Sequence, residues 1–141
     1  MNMQDKGDIN IPVSASLPSA MALAYLGDAR HALYVRDMLV RQGLSKSGDL
    51  NRAALGYVTA EAQARVYRKI EPHLTEEEAA LAHRAMNSGH LNRPKHASPV
   101  DYRCATGLEA VIGMLHYLGR EARLLEILEE GYKETENDTE D

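Results

Sequence analysis

Two carboxylates stand where carboxylates are expensive. Asp28 lies in Ala24-Tyr25-Leu26-Gly27-Asp28-Ala29, and Glu109 lies in Ala105-Thr106-Gly107-Leu108-Glu109-Ala110. Each string is small and apolar apart from its acid, and each reads as helix. A carboxylate buried in such surroundings is costly unless it is paired, hydrogen-bonded or bound to a cation. Two of them, in helices far apart in sequence, predict a metal site built across a helix–helix contact. Carboxylates suit a hard cation such as Mg²⁺, which takes one or two of them, keeps several waters and completes its shell with substrate phosphate. Such a cation activates water at neutral pH and stabilises the leaving oxygen of a phosphodiester.

The helices that must carry these acids show why they stand out. Successive helix residues turn by about 100°. On that wheel Asp28 falls between Val35 and Leu39, beside Met21, Tyr25 and Ala32, while Leu23, Leu26 and Leu33 take another side. The first half of this helix is apolar almost all round, which marks it as buried or interfacial. An ordinary structural alternative is that Asp28 pairs with Arg30 or Arg36. Gly27 costs roughly 1 kcal/mol relative to alanine in a helix interior, so it fits a place where another backbone or a ligand comes close. Glu109 shares a stripe with Tyr102, Ala105, Thr106, Gly113 and His116. Ala105 and Gly113 leave room there for a second helix or a ligand. Val111, Met114, Leu115 and Leu118 face elsewhere and read as core. The ordinary alternative for Glu109 is a salt bridge to an arginine at the rim of a tight crossing.

The remaining punctuation predicts an all-α chain. Ser19 caps a first helix to about Gln42, stopped by Gly43. A loop over Gly43–Gly48 leads to a short helix near Asp49–Gly56. Thr59 caps the next helix, which ends before Pro72. Thr75-Glu76-Glu77-Glu78 is a capping box opening a helix to about Asn87. Ser88–Ala97 reads as a loop. Ser98-Pro99-Val100-Asp101 opens a helix running to Leu118, with Gly119 as its stop. A last helix covers about Arg120–Gly131, with Leu124, Leu125 and Leu128 as its apolar side. Residues 1–16 read as a flexible arm, 17–133 as one folded domain and 134–141 as an acidic tail.

The 141 residues suffice for a hydrophobic core without staples. The single cysteine, Cys104, has no partner for an intramolecular disulfide and fits a reducing compartment. No segment reads as a signal peptide or a membrane span, so a soluble cytoplasmic protein is expected. The formal net charge of −5 argues against a nucleic-acid partner until its distribution is considered. The tail alone carries five acidic residues and no basic one, which leaves the body neutral. Within that body, His83–Arg103 sets Arg84, Arg93, Lys95 and Arg103 against Asp101 alone, a local excess of positive charge suited to phosphate.

These strings resemble a known family. Leu23-Ala24-Tyr25-Leu26-Gly27-Asp28-Ala29 is similar to the signature of ribonuclease III catalytic domains, Glu-x-Leu-Glu-Phe-Leu-Gly-Asp. Ala105-Thr106-Gly107-Leu108-Glu109-Ala110-Val111-Ile112-Gly113 is similar to their second motif, Ala-Asp-x-x-Glu-Ala-x-x-Gly. The joining segments Tyr57–Ala64, Arg84–Asn87 and Tyr102–Gly107 resemble more specifically the Mini-ribonuclease III branch, which has a compact catalytic domain and no double-stranded-RNA-binding domain. The similarity covers about residues 17–130. Thr106 stands where the second motif has a further carboxylate, and Met21 and Ala24 stand at the glutamate positions of the first. Only Asp28 and Glu109 therefore carry over as catalytic, metal-binding acids. Asp101 sits about 80° from Glu109 on the wheel and is set aside.

The resemblance implies a homodimeric helical bundle with the signature helix at the interface. It implies Mg²⁺-dependent endonucleolytic cleavage of double-stranded RNA, with Mn²⁺ able to substitute, leaving 5′-phosphate and 3′-hydroxyl ends. It further implies a role in maturing the 23S ribosomal RNA precursor, with the large ribosomal subunit precursor as a further partner. A-form RNA is read through shape, phosphates and 2′-hydroxyls, so no base-reading motif is required. Arg84, Asn87, Arg93, Lys95 and Arg103 are the expected RNA-binding residues, and so small a basic set predicts weak, salt-sensitive affinity. Two rival readings compete with this one. A metal phosphohydrolase built on the six histidines lacks support, because no His-Asp dipeptide occurs and no two histidines fall at i, i+4; His116 alone has a place, as a proton shuttle near Glu109. A catalytically weak or silent helical dimer that only binds RNA or a ribosome precursor is favoured by Thr106 and Ala24 and opposed by the presence of both Asp28 and Glu109.

Overall fold

Four helices open on a side chain that takes up a free amide, each at the residue the sequence singles out. In the computed structural model, which describes residues 16–88 and 97–133, Ser19 accepts from the Ala22 amide at 3.1 Å and starts α1 (Ala20–Arg41). Thr59 accepts from Ala62 at 3.2 Å and starts α3 (Ala60–Ile70). Thr75 and Glu78 close a reciprocal capping box at 3.1 and 2.9 Å ahead of α4 (Glu76–Met86). Ser98 accepts from Asp101 at 3.0 Å and starts α5 (Pro99–Tyr117). Each such cap is worth about 1 kcal/mol. Two further helices, α2 (Ser47–Val58) and α6 (Glu121–Tyr132), complete the chain, and no strand occurs among the described residues. Gly43 and Gly119 adopt φ of +98° and +73°, turning the chain after α1 and α5 as expected of glycine at a helix end.

Three boundaries differ from the sequence reading. The short helix expected at Asp49–Gly56 runs from Ser47 to Val58, because the chain stays helical until Thr59 caps the next one. Pro72 does end α3, but through a 3₁₀ turn over Glu71–His73 rather than a loop. The last helix gains Tyr132, whose ring packs against His31, Tyr34 and Tyr57. Its buried side is Leu124, Ile127, Leu128 and Gly131, an i, i+3, i+4, i+7 stripe. Leu125, expected on that side, is exposed instead.

Helix α5 is the axle. Leu108, Ala110, Val111, Ile112, Met114, Leu115 and Leu118 have no accessible surface, and α1, α3, α4 and α6 all pack on this helix. The four residues assigned to the core by periodicity, Val111, Met114, Leu115 and Leu118, are among them. By contrast α2 buries no residue fully. Its Leu55 and the α1 residues Met21, Tyr25, Leu33 and Val40 are exposed, so the signature helix presents apolar side chains outward as well as inward.

One buried ion pair ties α4 to α6. Glu78 is 2 % exposed and receives Arg123 at 2.8 and 2.9 Å, while Arg123 also donates to the His73 carbonyl at 2.8 Å. Burial alone would raise the proton affinity of Glu78, but the arginine and the Thr75 amide together hold it below its ordinary value. Removing one partner of such a pair leaves an uncompensated buried charge. Arg123→Ala is therefore expected to destabilise the fold by about 3 kcal/mol, read from the urea midpoint.

A second buried polar group makes stability depend on pH. His31 is 1 % exposed, its Nε2 meets the Tyr132 hydroxyl, and its Nδ1 has no partner. Burial depresses its pKa to about 4, with the Asp28 charge acting weakly in the opposite direction. The unfolded chain, with an ordinary histidine near 6.5, then binds more protons than the folded one between those values. Stability is expected to fall by roughly 3 kcal/mol as the pH drops from 6.5 toward 4. Thermal melts of wild type and His31→Gln across that range check this; a parallel slope in the variant would refute it.

Candidate active site

The site is assembled by a helix crossing so close that backbones touch. A Cβ on Gly27 of α1 would lie 1.7 Å from the Glu109 carbonyl oxygen, and one on Gly113 of α5 would lie 1.8 Å from the Leu23 carbonyl oxygen. Only hydrogen fits at either point. The expectation that Gly27 and Gly113 mark a close approach is met, and the approach is mutual. Asp28, next to Gly27, is thereby brought against Glu109.

The two carboxylates line one open cleft of about 200 Å³, between Tyr25 and Ala24 of α1 and Tyr102 and Thr106 of α5. Their side chains interact directly. Burial first, then the contact with Asp28 and its charge, push the Glu109 pKa up to about 9; the Gln63 side chain acts in the opposite direction. One expectation needs correction. Glu109 is half-buried, but Asp28 is exposed.

The structural alternatives for the acids do not hold. Arg30 pairs with Glu121 at 2.6 Å, and Arg36 lines a different groove, between α1 and α2. That groove is larger, about 270 Å³, but no acid lines it, so size does not identify the reactive place. The interactions that set the ionisation of Glu109 come from Asp28 and Gln63, with no arginine among them. Asp101 accepts from Arg68 at 2.8 Å, in keeping with its exclusion. Thr106 is buried and its hydroxyl donates to the Tyr102 carbonyl one turn back at 2.9 Å. His116 is exposed at the end of α5 and is not part of the cleft lining.

Of the expected RNA-binding residues, Arg84 and Asn87 are exposed at the end of α4 and Arg103 is exposed on α5, one position after Tyr102 of the cleft. None of the three lines the cleft itself. Arg93 and Lys95 lie outside the described residues. Sequence reasoning missed Gln63, a buried residue of α3 that acts on the ionisation of Glu109; with Glu61 and Arg65 two positions either side, nothing in the sequence set it apart.

The donor set fits a hard divalent cation. Two carboxylates face each other at the rim of a cleft, with no cationic side chain among the residues that line it. No group of three or more His, Cys, Asp or Glu able to hold a metal occurs among the described residues. Two protein carboxylates with the rest of the shell left to water and substrate is an arrangement typical of Mg²⁺ and foreign to a closed structural site.

Residues 21–120, from the start of α1 to beyond the end of α5, match the Ribonuclease III domain. The chain belongs to the ribonuclease III family. Within it, the chain is similar to Mini-ribonuclease 3 of Symbiobacterium thermophilum, 41 % identical over 109 residues that cover 77 % of this chain and 84 % of the relative. It is likewise similar to Mini-ribonuclease 3 of Brevibacillus brevis, 39 % identical over 124 residues, 88 % and 92 % of the two chains. A crystal structure of a protein from Fusobacterium nucleatum superposes with a TM-score of 0.73 at 33 % identity, covering 79 % of this chain and 85 % of that one. The all-helical ribonuclease III architecture and the Mini-ribonuclease III resemblance are thus both confirmed. The two acids of this ribonuclease III domain meet at the α1–α5 crossing, where Gly27 and Gly113 bring the backbones together.

Proposed function

We propose that this ribonuclease III family member is a metal-dependent endoribonuclease that cleaves double-stranded RNA to 5′-phosphate and 3′-hydroxyl ends. Its site consists of Asp28 and Glu109, which bind a divalent cation, Mg²⁺ by choice with Mn²⁺ able to substitute. The observation that carries this reading is the meeting of the two carboxylates in one open cleft at the α1–α5 crossing. When bound, the cation supplies stabilisation of the charge that develops on the phosphodiester oxygens. The protein's own contribution is positional. Gly27 and Gly113 fix the distance between the helices, Glu109 is held from α5, and Asp28 reaches the cleft from α1 with its carboxylate open to substrate.

The RNA face consists of Arg84, Asn87, Arg93, Lys95 and Arg103, holding the duplex through phosphates and 2′-hydroxyls. The functional unit is a homodimer. Support comes from the outward apolar residues Tyr25, Leu33 and Val40 of α1 and Leu55 of α2, which a partner subunit would cover. Two sites related by a two-fold axis would cut both strands of one duplex. The small basic set, which gives weak and salt-sensitive affinity for a bare duplex, supports a structured substrate, the 23S ribosomal RNA precursor, with the large ribosomal subunit precursor as a partner in the cytoplasm. No described helix is long and apolar enough to cross a membrane.

The test is cleavage of an end-labelled RNA duplex by purified protein in Mg²⁺. Cleavage is expected to stop on EDTA addition and to return with excess Mg²⁺ or Mn²⁺. Cleavage that persists in EDTA would overturn the metal assignment, and the absence of cleavage by a folded dimer on both a simple duplex and a 23S precursor stem would favour a binding protein.

A further inference from the structure

We infer that residues 134–141 dock along the exposed cationic edge of α3 and hold RNA off the face beside it, so that the chain carries its own competitor for the duplex. The competition rests on the reading of the protein as one that binds RNA.

The acids of this segment have a spacing as well as a count. Glu134, Glu136, Asp138 and Glu140 stand at every second position, separated by Thr135, Asn137 and Thr139, and Asp141 follows them. No apolar and no basic residue interrupts the run. In an extended chain alternate side chains share one side, about 6.6 Å apart. The pattern therefore suits a single file of negative charge, the electrostatic form of one nucleic-acid strand. A helix would divide the same four acids between two sides.

The root of the segment is fixed by the fold. Lys69, near the end of α3, donates to the Lys133 carbonyl at 3.0 Å. Gly131, two residues earlier, packs so closely on α3 that a Cβ there would lie 2.5 Å from Val66 Cγ1. The chain thus leaves α6 beside α3. Arg65, Arg68 and Lys69 form an i, i+3, i+4 group on the outer side of that helix, with both arginines exposed. Arg65 donates to Glu61 at 3.3 Å and Arg68 to Asp101 at 2.8 Å, each through one nitrogen. A guanidinium has five donors, so each keeps most of its fork for a second anion. Positions 65 and 69 lie about 6 Å apart along the helix, close to the spacing of the acids.

The same edge borders the proposed RNA face. Arg68 reaches Asp101, two residues before Arg103 on α5. Tyr67 and Met86, the chain neighbours of Arg68 and Asn87, both border Gly107, one turn beyond Arg103: a Cβ there would lie 3.4 Å and 2.8 Å from their side chains. Eight extended residues span up to about 26 Å, enough to run from Lys133 past Arg68 to Arg103. The tether makes docking intramolecular, with an effective concentration in the millimolar range. That suffices to compete with a duplex held by so few cations.

The experiment compares the full wild-type chain with a full-length variant whose tail is neutral: Glu134→Gln, Glu136→Gln, Asp138→Asn, Glu140→Gln and Asp141→Asn. Binding of a fluorescent RNA duplex is measured in EDTA, so that no cleavage intervenes, at low and at high KCl. Amide NMR spectra of the two isotope-labelled proteins are compared without RNA. The neutral-tail protein is expected to bind the duplex about fivefold more tightly at low salt and equally at high salt. The two spectra are expected to differ at residues 65–69 and at Arg103, and the differences to vanish at high salt. Tighter binding with no difference at those amides would make the tail a general negative field and overturn the docking. Equal affinity at low salt would overturn the competition, wherever the tail lies. If both proteins leave the duplex unbound at low salt, the RNA reading falls, and the spectra alone decide the docking: differences along 65–69 keep it, identical spectra remove it.

Discussion

Asp28→Asn is expected to lower kcat for duplex cleavage by roughly 1000-fold, since a bound cation contributes several kcal/mol of charge stabilisation and each 1.36 kcal/mol is a factor of ten. The same change should not harm the fold. Asp28 is exposed and its carboxylate faces that of Glu109. Asparagine keeps the shape and removes the charge that, with burial, holds Glu109 in its protonated form, so the melting temperature of metal-free Asp28→Asn should equal or exceed that of wild type. Mg²⁺ should raise the melting temperature of wild type, because it binds the folded state alone, and should leave the variant unmoved. Activity and stability moving in opposite directions is the signature of a residue kept for chemistry. A variant that cuts RNA at close to the wild-type rate, or that melts well below it, would remove Asp28 from the site.

Gly27→Ala has the largest expected effect on the fold. Its methyl would lie 1.7 Å from the Glu109 carbonyl oxygen and 2.8 Å from the Gly113 amide nitrogen. Both are backbone atoms, so no side chain can swing away; α1 and α5 must separate. Ordinary overpacking costs about 1–3 kcal/mol, and parting the two central helices should exceed it, taking a domain whose whole stability is of order 5–15 kcal/mol to the edge of unfolding. Urea unfolding of Gly27→Ala beside Gly56→Ala checks the argument. Gly56 lies in α2 with nothing within 4 Å of a built Cβ, so alanine there should stabilise by about 0.5–1 kcal/mol through helix propensity. Equal midpoints for the two variants would mean that the crossing is softer than its geometry.

Much of this protein is legible in its linear order because the determining interactions are local. Ser19, Thr59, Thr75 with Glu78, and Ser98 each satisfy amides three residues away, so the starts of α1, α3, α4 and α5 follow from single side chains. The buried side of α5 follows from the helical period alone. The same kind of contrast, one acid in a small apolar string, marked Asp28 and Glu109, and the small residues beside them marked the crossing. What local order could not determine was which acid is covered, where Leu125 points, and that α2 extends to Val58, since each depends on what packs against it.

The sequence by itself determined the six helices, the core face of the central one and the singling out of Asp28 and Glu109, which the fold brings into one cleft, because periodicity, capping and composition act within a few residues. Only the tertiary structure decided that Asp28 is open and Glu109 half-covered, and that Arg30 serves Glu121 instead of Asp28. These depend on contacts between residues tens of positions apart, and their geometry is set by how closely two glycines allow α1 and α5 to meet.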